Sequence, residues 1–242
     1  MRNPRIYTPQ LLTTDTNAVL EEGAASHVGR VLRMKAGQPL VLFNGSGSTY
    51  QSEVLSVSKK TVSVRVGAES APQTESPLRI SLGQTMSRGE RMDYAIQKAT
   101  ELGIAEITPL FTERCEVKLS GDRQEKRVKH WQKVAISACE QCGRNTLPVI
   151  HSPLSLADWL SQQNTDLRFV LHHRTEKKLE GYKKPESVSL LIGPEGGLTA
   201  DEITLAEKHQ CHALSLGPRV MRTETAPIAA ASIMHYLWGD FQ

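Results

Sequence analysis

Two short stretches of the chain combine backbone-rich turns with charged side chains, which is what a ligand site needs. Residues 193–197 read Gly-Pro-Glu-Gly-Gly, directly after the apolar run of residues 187–192. Three glycines and a proline make a rigid turn poor in side chains, where backbone N–H and C=O groups can approach a ligand closely. Two readings stand at this point, a cofactor cradle and a plain strand-to-helix turn. The spacing is neither G-x-G-x-x-G nor G-x-x-x-x-G-K-[ST], and no P-loop lysine follows. Phosphate cradling, and with it a nucleotide-dependent kinase or ligase, is disfavoured. The second stretch runs Gly217, Pro218, Arg219, Val220, Met221, Arg222, Thr223, Glu224, Thr225. Arg219 and Arg222 are three apart, and a guanidinium suits a developing anion because it stays charged and offers several donors. The bland alternative pairs Arg222 with Glu224 on the surface and uses the threonines as caps, Thr225 capping a last helix with Pro227 in its first turn. That accounts for the threonines better than for two arginines crowded into one turn. A third loop begins at Leu171, His172 and His173, where the histidines read more readily as structural or backbone contacts than as catalysts.

The elements that must carry these loops follow from hydrophobic periodicity. Residues 24–38 read as a short helix, then a turn at Gly37. Residues 40–66 alternate apolar and polar, with turn signals at Asn44–Gly45 and Lys59–Lys60, so they read as short strands of a small barrel or sandwich. Residues 67–77 carry two prolines and no apolar period and read as a linker. Beyond Pro77 the pattern changes. Apolar runs at 78–86, 105–112, 167–173, 187–193 and 212–217 alternate with helical patterns. Met92, Ala95, Ile96, Ala99 and Leu102 mark one amphipathic helix ended by Gly103. Val128, Trp131, Val134 and Ala138 mark a longer one with Lys and Arg opposite. Thr199 and Glu202 form a capping box, and a last helix starts near Thr225. Alternating strands and helices imply an α/β parallel sheet covered on both faces, where ligands bind beyond the carboxyl ends of the strands.

Bulk properties fit this scheme. The 242 residues allow two domains; 39% hydrophobic and 23% charged residues suit a folded globular chain rather than a disordered one. A net charge of +3 permits a polyanionic partner without demonstrating one, and 5% aromatic residues speak against a broad base-stacking platform. Four cysteines are too few for a disulfide scaffold, and the Cys139–Cys142 pair lacks a second pair at zinc spacing, so free thiols and no metal are expected. No apolar leader or membrane span is visible, since the stretch 226–238 is short and broken by Pro227 and His235. A cytoplasmic protein follows.

Taken together, LLIGPEGG (residues 190–197) and LGPRVMRTETA (residues 216–226), with MSRGERMDYAIQKATELG, ACEQCGRN, RIY and HVGRVLRM upstream, closely resemble the RsmE family. These are bacterial small-subunit (16S) rRNA uridine-N3 methyltransferases of the SPOUT superfamily, and the resemblance covers essentially the whole chain. It implies a PUA-like RNA-binding β-barrel at residues 1–72. A SPOUT methyltransferase domain with a trefoil knot would occupy residues 73–242 and bind S-adenosyl-L-methionine. It also implies a homodimer acting on small-subunit ribosomal RNA or the assembled 30S subunit, with no membrane or DNA partner. A non-catalytic RNA-binding or ribosome-assembly protein is the alternative.

On this resemblance the donor would be held by Leu171, His172, Ile192, Gly193, Pro194, Glu195, Gly196, Gly197, Leu216, Gly217, Arg219, Met221 and Thr225. Leu171, Ile192, Leu216 and Met221 would supply apolar walls. Methylation at uridine N3 requires loss of an imide proton. Arg222 is assigned to favour the anion, and Glu224 or Glu195 to accept the proton or orient the arginine. RNA contacts are expected at Arg2, Arg5, His27, Arg30, Arg33, Arg88, Arg114 and Lys118, with Arg91 near them, and Arg30 and Arg33 on one face of the short helix.

Overall fold

The computed structural model describes residues 3–172, 179 and 181–242; Arg2 and His173 lie outside the described residues. The chain divides into two compact units, Met1–Glu75 with Ile136–Leu147, and Ser76–Ala135 with Pro148–Gln242.

The first unit is built on strands β1 (Arg5–Tyr7), β2 (Thr16–Val19), β3 (Pro39–Phe43), β4 (Thr49–Val57) and β5 (Val62–Ser70), with helix α1 (Glu22–Ser26). The sheet order is β1-β3-β4-β5-β2, with β1 parallel to β3 and the other pairs antiparallel. The period-2 pattern sends Val62, Val64 and Val66 into one core with Leu40, Leu42, Tyr50 and Val54.

Two expectations are corrected here. The short helix is α1 followed by a π-helical turn, His27–Val31, and Arg33 stands beyond it at φ +51. The bonds Leu32 N to His27 O and Met34 N to Val28 O close the turn, and the left-handed step at Arg33 returns Met34 to the core. Arg30 and Arg33 therefore do not share a helical face. The linker starts later than residue 67. Glu69 and Ser70 still pair with Tyr50 and Thr49, and Gly67 lies beside a register shift where an added Cβ would collide with the Gln51 carbonyl oxygen.

A polar network fastens residues 136–147 within this unit. Arg144, 4% exposed, reaches Glu75 through two bonds of 3.2 and 2.6 Å. Arg5 donates to Asn145 Oδ1 at 2.6 Å and to the Arg144 carbonyl at 3.0 Å while lying over the Phe43 ring. Glu140 accepts from the Tyr7 amide and faces His27 Nδ1 at 3.4 Å.

The second unit runs β6 (Arg79–Thr85), α2 (Glu90–Glu101), β7 (Glu106–Phe111), α3 (Gly121–Cys142, its end counted with the first unit), β8 (Val149–Ile150), β9 (Leu154–Ser155), α4 (Leu156–Gln162), β10 (Leu167–Leu171), β11 (Ser187–Ile192), α5 (Ala200–Lys208), β12 (His212–Leu214) and α6 (Ala226–Trp238). Every pairing is parallel, in the order β12-β10-β11-β6-β7-β8, with β9 beside β7. Alternation along β11 shows why both faces are covered. Val188, Leu190 and Ile192 pack with Met92 and Ile96 of α2, Trp131 of α3 and Met234 of α6. Leu191 packs with Trp159 and Leu160 of α4 and Ala206 of α5. Helix α4 and the short strands β1, β2, β8 and β9 are additions to the elements read from the sequence.

The order in space differs from the order in the chain. β11 lies between β10 and β6. The chain then passes through α5 to β12 on the far side of β10, and returns to α6, which packs on β6, β11 and α2. The carboxyl ends of β10, β11 and β12 therefore lie at one end of the sheet, where the strand order reverses.

Candidate active site

At that end lies a cavity of about 960 Å³, at the large end of the range of small-molecule sites. Its described walls come from these three strand ends. From β10 come Leu171 and His172, whose amide bonds to the Leu214 carbonyl at 2.9 Å. From β11 come Ile192, Gly193, Pro194, Glu195, Gly196 and Gly197, and from the loop after β12 come Leu216, Gly217, Arg219, Met221, Arg222 and Glu224. Of the residues assigned to donor binding and catalysis, Thr225 alone does not line the cavity. Its side chain makes no cap bond either. Thr225 sits in the helical region at φ −83, ψ −35, and its amide and that of Ala226 bond to the Arg222 carbonyl. The helix start is wound one turn earlier than an extended N-cap requires, which displaces the expected capping role.

The GPEGG loop is held at several points. The Gly197 amide closes a turn on the Pro194 carbonyl at 2.9 Å, and Gly197 has φ +69, a conformation that favours glycine. The expected capping box is present: Thr199 Oγ1 accepts from the Glu202 amide and Glu202 Oε2 from the Thr199 amide. The other oxygen of Glu202 accepts from the Glu113 amide at 2.8 Å. Arg114, next along, donates to the Gly196 carbonyl, and Arg91 pairs with Glu195 at 3.0 Å. Both arginines also line the cavity.

The two loops are tied to each other by residues that carried no functional assignment. Gln84 Nε2, at the end of β6, donates to Thr223 Oγ1 at 3.0 Å, and Thr223 Oγ1 donates to the Gly193 carbonyl at 2.9 Å. Nothing in the local sequence signals this link, because Gln84 and Thr223 are 139 residues apart.

The electrostatics favour anions at the mouth. Arg91, Arg114, Arg219 and Arg222 line the cavity against Glu195 and Glu224. Arg222 is exposed and forms no ion pair with Glu224; Glu224 Oε2 is buried without a hydrogen-bond partner among the described residues. The apolar wall is Leu171, Ile192, Leu198, Ile203, Leu214, Leu216 and Met221. Such a site can hold a molecule with a flat apolar part and hydrogen-bonding edges beside a negatively charged reactant.

Of the expected RNA-contacting residues, Arg30, Arg33 and Lys118 are exposed, Arg88 is exposed and paired with Glu116, and Arg114 reaches the cavity. Arg5 and His27 are engaged within the first unit, as described. Burial pushes the Cys139 thiol up to about 12 and the Cys211 thiol up to about 11, and all four cysteines are free.

Comparison with known proteins gives this architecture its class. Residues 74–235 match the family described as an RNA methyltransferase domain, and residues 20–67 an RNA methyltransferase PUA domain. The ribosomal RNA small subunit methyltransferase E of Buchnera aphidicola is 34% identical over 99% of this chain and 95% of its own length. That of Bacillus subtilis is 31% identical over 87% and 86%. The solved methyltransferase E of Neisseria gonorrhoeae, bound to S-adenosyl methionine, superposes with a TM-score of 0.93 at 35% identity over the whole of both chains. A Legionella pneumophila protein solved with bound SAM superposes at 0.97 with 42% identity, again over both whole chains. The chain belongs to the ribosomal RNA small subunit methyltransferase E family, within the RNA methyltransferases.

Proposed function

We propose that this protein transfers a methyl group from S-adenosylmethionine to N3 of a uridine in small-subunit (16S) ribosomal RNA. The observation that carries the reading is that GPEGG and residues of the 216–224 loop line one cavity, bringing a glycine-rich turn and the arginines Arg219 and Arg222 to it. The residues fit the donor. The volume is ample, the apolar wall suits an adenine face, and the glycines leave backbone groups open to its edge. The buried Oε2 of Glu224, without a partner among the described residues, can accept from a ligand hydroxyl or amino group. When bound, S-adenosylmethionine supplies an electrophilic methyl group on a sulfonium.

The chain's own task is to position the base and favour its anion. Arg222, exposed at the cavity and without an ion-pair partner among the described residues, offers a permanent charge and several donors to the imide as its proton leaves. Glu224 or Glu195 takes the proton or passes it to water. Arg30, Arg33, Arg88 and Lys118 would position RNA through phosphates, which makes binding salt-sensitive.

Residues 1–72 serve as a PUA-like RNA-holding domain and residues 73–242 as the methyltransferase domain. The return of the chain past β10 to α6 supports the trefoil knot. We read the protein as cytoplasmic, and the exposed apolar residues Ile233, Tyr236 and Leu237 on α6 support a homodimer. The 30S subunit or its free rRNA is the substrate.

The test is transfer of labelled methyl groups to free rRNA and to assembled subunits, with nucleoside mass spectrometry. N3-methyluridine formed on either substrate is expected. No transfer to both would leave a non-catalytic RNA-binding or assembly protein.

A further inference from the structure

Thr223 is 5% exposed and stands between the two residues assigned to the chemistry, which make no use of it. Its hydrogen bonds have a fixed direction. The Gly193 carbonyl can only accept, so the Thr223 hydroxyl proton goes there. Thr223 Oγ1 must then receive a proton, and Gln84 can give one only through Nε2. Gln84 is 1% exposed, and its Oε1 is buried without a partner among the described residues. The amide is held by two bonds from Nε2, to Thr223 Oγ1 at 3.0 Å and to the Thr85 carbonyl at 3.2 Å.

The relay joins three places in the fold. Gln84 sits beside Ile192 in the β6–β11 register, Gly193 opens the GPEGG loop, and Thr223 closes the loop before α6. We infer that Thr223 is a positioning residue: it latches the 217–225 loop to GPEGG and holds the two walls of the donor cavity at their spacing before the donor arrives. This rests on the reading of the cavity as the S-adenosylmethionine site. A wall already in place spares binding the cost of ordering two loops. Without the hydroxyl, the partly buried Gly193 carbonyl loses its donor, and Gln84 Nε2 keeps only its bond to the Thr85 carbonyl at 3.2 Å.

Three variants test the latch: Thr223→Val, which keeps the shape and loses the hydroxyl; Thr223→Ser, which keeps the hydroxyl; and Gln84→Met, which removes the donor to it. The readouts are the S-adenosylmethionine Kd and amide hydrogen exchange in the ligand-free protein. The informative amides are Gly197, Thr225 and Ala226, which bond to the Pro194 and Arg222 carbonyls. Thr223→Val is expected to weaken the Kd about tenfold, the effect of one buried hydrogen bond, and to speed exchange at those amides while β11 stays protected. Thr223→Ser should restore both, and Gln84→Met should shift both in the direction of Thr223→Val. If Thr223→Val does not fold, Gln84→Met carries the same comparison. Unchanged exchange in the loss variants, or equal defects in Thr223→Ser and Thr223→Val, overturns the latch. Faster exchange in Thr223→Val beside a wild-type protein that takes up no S-adenosylmethionine supports the latch and overturns the donor reading.

Discussion

Arg114 donates from its guanidinium to the carbonyl of Gly196 at 2.8 Å, a bond between residues 82 apart in the chain. The arginine follows β7 and the glycine follows β11, so one side chain from a neighbouring strand end fixes the orientation of a peptide in the cavity wall. Replacing Arg114 by alanine should weaken the S-adenosylmethionine Kd about fivefold, a typical net contribution of one charge-assisted bond. Because Arg114 is exposed, the melting temperature should move by no more than about 2 °C. Isothermal calorimetry and a melting curve on the same preparation decide it; a large melting shift with unchanged affinity would assign Arg114 to stability instead.

Gly196 and Gly197 differ in what a methyl group would meet. At Gly196 an added Cβ comes within 3.4 Å of the flexible Arg114 Cδ, whereas at Gly197 it meets nothing within 4 Å but is forced to φ +69. Gly196→Ala should therefore change donor affinity by less than about threefold, while Gly197→Ala bears a backbone strain of about 1–2 kcal/mol and Gly197→Val more. Equal affinities for the two alanine variants would show that the loop does not need its left-handed step.

Arg222→Ala should lower turnover by about 100-fold or more and leave the donor Kd within about twofold, since the role proposed for it arises as the imide loses its proton. Single-turnover rates at saturating rRNA, beside donor titrations, separate the two. A defect confined to donor affinity would make Arg222 part of the cradle.

In the first unit, Arg144→Ala leaves the partly buried Glu75 carboxylate without its two-bond partner and should cost about 3 kcal/mol of stability. Denaturant unfolding measures it. A loss below about 1 kcal/mol would mean that Glu75 turns to solvent freely.

Cys139 and Cys211 hold their protons well above the ordinary thiol value of 9.0, mainly because they are buried. In the folded protein both should resist alkylation at pH 8. The sign of the linked stability follows: the unfolded chain releases these protons near pH 9 while the folded one retains them, so their contribution is intact below pH 9 and is lost as pH climbs towards about 11 and 12. Stability rising over that interval, once Lys and Tyr titration are allowed for with Cys→Ser controls, would contradict it.

What could be read from the sequence was what lies close together in it. GPEGG, the LGPRVMRTETA loop, the capping box at Thr199 and the apolar runs of β6, β7, β10 and β11 announce themselves within a dozen residues, and the loops do line one cavity. The family resemblance supplied the substrate class that those residues alone left open. Long-range partnerships carried no such signal. Arg5 reads as a free cation until Asn145, 140 residues on, accepts its proton, and Gln84 reads as an ordinary strand residue until Thr223 arrives beside it. Helix α4 was missed because a seven-residue helix directly after the two-residue β9 shows no full amphipathic period, although Trp159 and Leu160 anchor one face of the sheet. The left-handed step at Arg33 and the tight start of α6 at Thr225 are tertiary choices that local propensity does not encode.

The place of β11 between β6 and β10 has a consequence for the birth of the protein. A ribosome making this chain releases β6, β7, β8 and β10 before β11, so both strands that β11 will join wait with unpaired backbone edges. The nascent chain cannot close its sheet by zipping neighbours in order; it must keep a slot open and admit a late strand from the middle. Slow maturation and a need for protection against edge-to-edge pairing follow from that order of synthesis.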